Sequence, residues 1–456
     1  MHFKRGLILL LLASLPFQLA ANDEVPDFVE WQSPLPRFLN QALSADEITD
    51  IIGDGQMVIV HPPKNIMLWS KGKVSEYKNT RVATAVMVLD IPVKELQTLM
   101  SDSRLMAEIM PQVQNSKTLA TQKNETMVEY LQVYDMPGPV DLKAKFIWQY
   151  KLEADGSISF LLHEGDIDAA VGQWEFAALD NKRSLLAFTY WGDLQSASFA
   201  FKILVNAMPE LYPTIPAATT AMYTEIYRHY INKDTKQNRK EMSNEGLPQK
   251  PSVPVISESK LKLETLEQLS TLGTLILIHP EQLVQGKDFP QDIFYVSTFV
   301  SRQGSPEELL PLISDMSKLT ESSPNWVKRA DKTENDQGYT VVDLVLMVAV
   351  GPVGVKTRNE IHEIRYNEHT VLLDSKGGDL DPLTGAWEFL AMKNPALNKD
   401  HQQTLVVNTL QLDIGESAGV MLKMLRNVPM FDLITALHIS LTLQENQSSW
   451  LAKSGK

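Results

Sequence analysis

The sequence predicts an α+β protein made of two tandem copies of one domain. Each copy is a curved antiparallel sheet wrapped around a long C-terminal helix. Three observations carry this prediction. A twelve-residue phrase is written twice, "GDIDAAVGQWEF" at Gly165–Phe176 and "GDLDPLTGAWEF" at Gly378–Phe389, with seven identities. The offset between the copies, 213 residues, holds without a gap from about Glu95 to Phe176. Within each copy the hydrophobic pattern then changes in the same order, from short helical stretches to a series of strand-like runs to one long apolar helix.

Each copy opens on a short amphipathic helix, "LPRFLNQAL" (Leu35–Leu43) in the first and "KLETLEQLS" (Lys262–Ser270) in the second. An apolar strand ending in His-Pro follows, "GQMVIVHP" (Gly55–Pro62) answering "GTLILIHP" (Gly273–Pro280). "VATAVMVLD" is apolar and β-branched and reads as a strand. "PVKELQTLMSD" opens on proline and spaces Val93, Leu96, Leu99 and Met100 along a helix face; "LLPLISD" (Leu309–Asp315) is its counterpart. The meander is "TMVEYLQVYDM", "LKAKFIWQYKL", "SISFLLHEGD", "GQWEFAAL" and "SLLAFTYWGDL", punctuated by Pro-Gly-Pro, Asp-Gly and Asp-Asn-Lys turns. The closing helix is expected over Phe199–Ile231, interrupted by Pro209, Pro213 and Pro216, and over Val420–Leu443, interrupted by Pro429. Near this end the offset becomes 220, since Asp193 answers Asp413 and Pro209 answers Pro429; the polar stretch "KNPALNKDHQQ" holds the extra residues.

The domain boundaries follow. Residues 1–21 read as a signal peptide, with Lys4 and Arg5 as its basic start, Gly6–Leu15 as its apolar core and cleavage after Ala21. Its apolar run of about ten residues is half the about 20 that cross a bilayer. Residues 22–232 form the first domain, 260–445 the second and 446–456 a tail. The charged, proline-containing stretch 233–259 is the linker.

The residues carrying a family resemblance are "PVKELQTLMSDSRLMAEIMPQV", the Gly-x-Trp-Glu-Phe strand, and "FTYWGDLQSASF" leading into the closing helix. "DMPGPVDLKAKF" adds a Pro-x-Pro strand entry, followed by Lys143-Ala144, and Lys356-Thr357 in the second copy, where START domains carry Arg and an acid. With these the chain resembles the START-related, Bet v 1-like superfamily, which includes polyketide cyclases and coenzyme Q-binding START proteins. The resemblance covers both copies and implies the helix-grip fold, with an apolar cavity between sheet and helix. It implies a hydrophobic small molecule or lipid as partner (a lipid, quinone, sterol or polyketide-like compound) held for carriage or storage.

Composition narrows the classes. A formal charge of −14, which becomes −16 when Lys4 and Arg5 leave with an acid-free leader, argues against nucleic acid and against docking on anionic lipid. No stable membrane insertion is expected. The absence of cysteine removes disulfides, thiol catalysis and thiolate metal sites, and with the leader it points to a periplasmic or secreted protein. No metal and no cofactor is expected.

The candidate pocket residues are Trp174, Phe176, Met208, Tyr212, Met222 and Tyr223 in the first copy. Trp387, Phe389, Met421, Met424 and Phe431 are their counterparts in the second. Trp and Phe two apart share one strand face, as pocket wall or as core, and methionine suits an adaptable pocket. Asp166 and Asp168, with Asp379 and Asp381, are candidate polar anchors. As pairs two apart they could work as acid and base, or bind a cation; tying down the turn before Gly172 and Gly385 is the preferred reading. "GESAG" (Gly415–Gly419) matches a nucleophile elbow, but only 37 residues follow it, with Asp432 and His438 on one expected helix, so it reads as a turn. His61 and His279 read as strand-end caps. Two further readings stay open: a cyclase- or hydrolase-like enzyme using pocket carboxylates, and an interaction module whose pockets are filled by side chains.

Overall fold

In the computed structural model the described residues are 25–39, 43–134, 142–196, 213–232, 243–285, 290–334, 339–350, 353–393, 402–415, 417–419, 423 and 430–454. The first half contributes β1 (Gln56–Val60), β2 (Lys64–Ser70), β3 (Lys73–Thr80), β4 (Ala83–Leu89) and β5 (Val113–Gln122). It continues with β6 (Glu125–Tyr134), β7 (Leu142–Leu152), β8 (Ile158–Gly165), β9 (Ala170–Ala178) and β10 (Ser184–Gly192). Its helices are α1 (Ala45–Ile52), α2 (Val93–Ser101), α3 (Met106–Ile109) and α4 (Ile215–Ile231). The second half contributes β11 (Thr274–Ile278), β12 (Gln282–Val284), β13 (Gln291–Ile293), β14 (Val296–Gln303) and β15 (Val327–Glu334). Then come β16 (Thr340–Val350), β17 (Val353–Asn367), β18 (Thr370–Gly378), β19 (Leu380–Ala391) and β20 (Gln403–Ile414). Its helices are α5 (Leu263–Ser270), α6 (Pro306–Ile313), α7 (Leu319–Ser322) and α8 (Phe431–Ser454).

The architecture is α+β, with a large antiparallel sheet and helices packed on it. Sixteen strands form one sheet in the order β15-β16-β17-β18-β19-β20-β14-β11-β1-β4-β10-β9-β8-β7-β6-β5. Each half reads outward from the middle in the same order. The His-Pro strands meet there: β1 and β11 pair antiparallel, with Val58 opposite Ile276. The two copies therefore share one sheet rather than standing as separate units.

The seam strands explain their own composition. Every residue of β1 is buried, because both faces are covered. Met57 and Ile59 point into a core closed by Ile48 and Ile52 of α1 and Leu266 and Leu269 of α5. Val58 and Val60 point the other way, into a core closed by Ala217 and Ala221 of α4 and Leu433 and Leu437 of α8. A strand buried on both faces needs a continuous apolar run, which "MVIV" and "LILI" supply.

Several elements differ from the sequence expectation. The first lead helix does not start at Leu35; α1 begins after Ser44, where Ser44 and Glu47 form a capping box. A hairpin, β2–β3, escaped the pattern reading; its turn runs through Lys71 and Gly72, both at positive φ. The polar edge strand β5 also escaped it, since it lacks an apolar face. Residues 446–454, expected as a tail, continue α8: Leu451 is buried in the second core, and the Gln447 amide donates to the Ile313 carbonyl at 3.2 Å. The end of the expected linker is anchored too, with Ile256 4% exposed.

Candidate functional site

The strands of the first half carry aromatic side chains at every second residue on one face. Phe146, Trp148 and Tyr150 follow this period on β7, and Phe188 and Tyr190 on β10. Trp174 on β9 stands directly opposite Phe188. Helix α4 packs over β1, β4 and β10. Between sheet and helix lies a cavity of about 350 Å³, whose wall includes Trp148, Tyr150, Phe160, Trp174, Met222 and Tyr223.

The rings brace one another. Phe160 and Trp174 have centroids 4.8 Å apart, Trp148 meets Phe160 edge-on at 5.4 Å, and Tyr150 stacks on Trp174 at 5.9 Å. From the helix side, Tyr223 reaches Phe188 at 6.0 Å. Such pairs add roughly 0.5–1.5 kcal/mol each beyond their burial, so the wall is held rigid. The glycine of the repeated Gly-x-Trp-Glu-Phe phrase belongs to this packing. A Cβ on Gly172 would sit 2.0 Å from the Phe160 ring, so only glycine lets that ring lie across β9.

Polar groups are few and uncharged. The Gln112 amide donates to the Tyr223 hydroxyl at 3.4 Å, and Tyr130 and Tyr190 also line the wall. Burial pushes the hydroxyls of Tyr130, Tyr150, Tyr190 and Tyr223 up, so all four keep their protons. The Trp174 indole N–H is buried with no hydrogen-bond partner among the described residues. The Trp174 ring lines the cavity, while its N–H is buried away from open space.

The sequence candidates separate on this geometry. Trp174, Met222 and Tyr223 line the cavity, and Phe176 packs against the same core beside it. Trp387 and Phe389, 3% and 0% exposed, pack among leucines and valines of the second core. Met208, Tyr212, Met421, Met424 and the side chain of Phe431 lie outside the described residues. The period-two aromatics on β7 and β10 were in the sequence as a signal but were read only as strand composition.

The four aspartates stand outside the cavity wall; the first of each pair holds a backbone amide and the second a side chain. Asp166 accepts the Lys145 amide at 3.2 Å, and Asp379 accepts the equivalent Arg358 amide at 2.9 Å. Asp168 pairs with Lys71 at 2.6 Å, and Asp381 accepts the Ser375 hydroxyl at 2.7 Å. Ser417 of the Gly-Glu-Ser-Ala-Gly stretch donates to the Gly378 carbonyl.

The glutamate of the phrase has a role that sequence reasoning missed. Glu175 accepts the amides of Phe38 at 2.9 Å and Leu39 at 3.2 Å; Glu388 accepts those of Ile256 at 2.7 Å and Ser257 at 2.9 Å. Each carboxylate thus pins the segment leading into its own half. Burial raises both carboxyls above the usual range, partly offset by those hydrogen bonds.

The repeated histidines are also matched. His61 meets Thr84 at 2.8 Å, which meets Thr189 at 2.9 Å; His279 meets Ser297 at 2.7 Å, which meets Thr409 at 2.7 Å. Burial lowers both imidazoles to about 4, so they are neutral parts of the sheet. Glu225, His229 and Glu281 bring potential ligand atoms within 4.8 Å of one another across the seam. Arg228 already joins this group, pairing with Glu225 and lying 3.8 Å from Glu281, and the Glu225 hydrogen bond raises the His229 pKa. Arg228 and His229 thus both lie against these two carboxylates.

No protein-family model and no curated protein sequence matches the chain. Solved structures do. The di-domain ARO/CYC BexL from the BE-7585A biosynthetic pathway matches at 12% identity over 81% of this chain and 98% of its own, with a TM-score of 0.25. A STAR-related lipid transfer protein from Xanthomonas axonopodis matches at 15% identity over 37% of this chain and 98% of its own, with a TM-score of 0.26. The Zhui aromatase/cyclase from Streptomyces sp. R1128 matches at 15% identity over 34% of this chain and 98% of its own, with a TM-score of 0.26. These are the groups that the sequence resembles, and one of them carries two domains in a chain. At these identities and scores the likenesses decide neither ligand nor reaction.

Proposed function

We propose that the chain is an exported carrier that holds a neutral, largely apolar small molecule in the first-half cavity, with the sheet curved around α4 as the grip. The observation that carries this reading is the aromatic cavity of about 350 Å³ between the sheet and α4. Small-molecule pockets run from about 300 to 1,000 Å³ and combine an apolar wall with a few placed polar groups. No charged side chain is among the wall residues described, so an ionised head buried there would lack a counter-charge. The fitting ligand is an uncharged ring or chain compound. Export follows from the leader-like residues 1–21. Among the described residues no helix is long and apolar enough to cross a membrane.

Native mass spectrometry of gently purified protein, before and after organic extraction, tests the reading. The expected result is a bound species that extraction removes, retained by Trp387→Phe and weakened in Trp174→Phe, which shrinks the aromatic wall. Protein that carries no bound species, and takes up no apolar probe, would overturn it.

A further inference from the structure

The wall of the first-half cavity is not made by the first half alone. Ile434, on the first turn of α8, lines it together with Ile215, Ala218, Thr219 and Met222 of α4. Met430, just before α8, packs against both the cavity core and the seam core. The strand pairing of β1 with β11 places α4 and α8 in contact across the seam. Thr214, at the head of α4, meets His438 Nδ1 at 2.9 Å, and Arg81 of the first half pairs with Glu445 of α8.

The duplication shows why Ile434 falls there. By the offset of 220, Thr214 answers Ile434 and Ala218 answers His438. A contact between two related copies recurs in reciprocal form, residue i on j and j on i. One member of this pair of contacts is the polar Thr214–His438 bond. The reciprocal positions are Ala218 and Ile434, and both line the cavity. The same positions that form a polar clasp on one side form an apolar wall on the other.

We propose that Ile434 is a ligand-contacting, specificity-determining residue of the first-half site, so that the second half completes the site by docking α8 against α4. The proposal rests on the reading that the cavity holds a ligand. Its consequence is that ligand size is set from both halves, with the α8 side chain limiting one end.

The chain has no cysteine, so a single introduced thiol reports on one position. Ile434→Cys and Met222→Cys, each in the full chain, are reacted with N-ethylmaleimide with and without saturating N-phenyl-1-naphthylamine, a neutral aromatic probe. Labelling is read by intact mass. Both thiols are expected to react at least tenfold more slowly when the probe is bound. Protection of Met222→Cys with an unchanged rate for Ile434→Cys would overturn the proposal and leave the cavity as the binding site. Protection of neither would overturn the cavity reading and this proposal with it. In addition, Ile434→Trp should weaken probe binding at least tenfold in protein whose circular dichroism matches the parent chain; unchanged affinity there counts against the proposal.

Discussion

The two copies of one phrase end in different surroundings, although their strands keep the same register. Trp174 lies opposite Phe188, and Trp387 lies opposite Asn408. Phe188 joins the aromatic wall of a cavity. Asn408 Oδ1 instead accepts the Ser440 hydroxyl at 2.9 Å, and Ser440 also reaches Thr298 at 2.8 Å, which fastens α8 to its sheet. The neighbours diverge in the same sense. Met222, Tyr223 and Tyr227 on α4 answer Thr442, Leu443 and Gln447 on α8, and Tyr150 answers Glu363, which accepts the Met316 amide at 2.9 Å. Groups that hold the sheet and its lead segments, such as the glutamates and the strand-end histidines, are kept in both copies. Around the shared tryptophan, groups that face the helix are largely aromatic in one copy and aliphatic or polar in the other. Duplication preserved the sheet, and divergence concentrated between sheet and helix.

Exchanging the opposed residues should break this contrast most severely. Phe188→Asn removes a ring from the aromatic wall and buries an amide with no partner; a loss of about 3–5 kcal/mol is expected, on the scale of large-to-small aromatic substitutions. Urea unfolding measures it, and probe binding should fall with it. The reverse exchange, Asn408→Phe, overfills a packed core and leaves Ser440 with Thr298, for a cost of about 1–3 kcal/mol. A larger cost for the second substitution than for the first would mean that the second half, not the first, carries the aromatic-dependent core.

The glutamate clamps should respond alike in both halves. Glu175→Gln or Glu388→Gln leaves one acceptor oxygen for two amides, and about 1–3 kcal/mol is expected for the unsatisfied donor. Their pH signature has a definite sign. Each folded-state pKa is raised above 4.5, so the native state holds the proton more tightly than the unfolded chain. That contribution is present below pH 4.5 and is lost as pH rises through the raised pKa. Each glutamine variant should flatten that part of the stability profile.

Histidine gives the smaller, opposed effects. His61 and His279 have folded pKa values of about 4 against 6.5, so their contribution is present above pH 6.5 and is lost as pH falls towards 4. Thermal melts from pH 7 to 4 should fall less steeply in His61→Gln or His279→Gln, by similar amounts if the two copies are equivalent. His229 has no counterpart in the second half, where Ser449 stands. Its raised pKa means that its contribution is present below pH 6.5 and fades as pH climbs through the raised value. His229→Gln should remove a slight downward slope above pH 6.5; an unchanged slope would mean that the Arg228 pairs alone hold that corner.

What the sequence determined by itself was what local pattern can express. Period-two runs and their turns marked most of the strands; a fixed offset revealed the duplication; and Asp and Gly marked the turn ahead of each tryptophan strand. These depend on neighbours a few residues away, and hydrophobic periodicity records them. The start of α1 was also written locally, in Ser44 and Glu47, but the apolar run before it obscured the cap.

Only the tertiary structure decided the rest. That β1 pairs with β11 is a contact between residues more than two hundred positions apart, and two fully apolar strands carry no mark of which edge each will choose. Whether Trp174 and Trp387 face space or packed side chains depends on the volumes standing opposite, and the same Gly-x-Trp-Glu-Phe reads identically in both cases. The placement of Ile434 follows from the seam, since α8 reaches the first-half cavity only once the two sheets have become one.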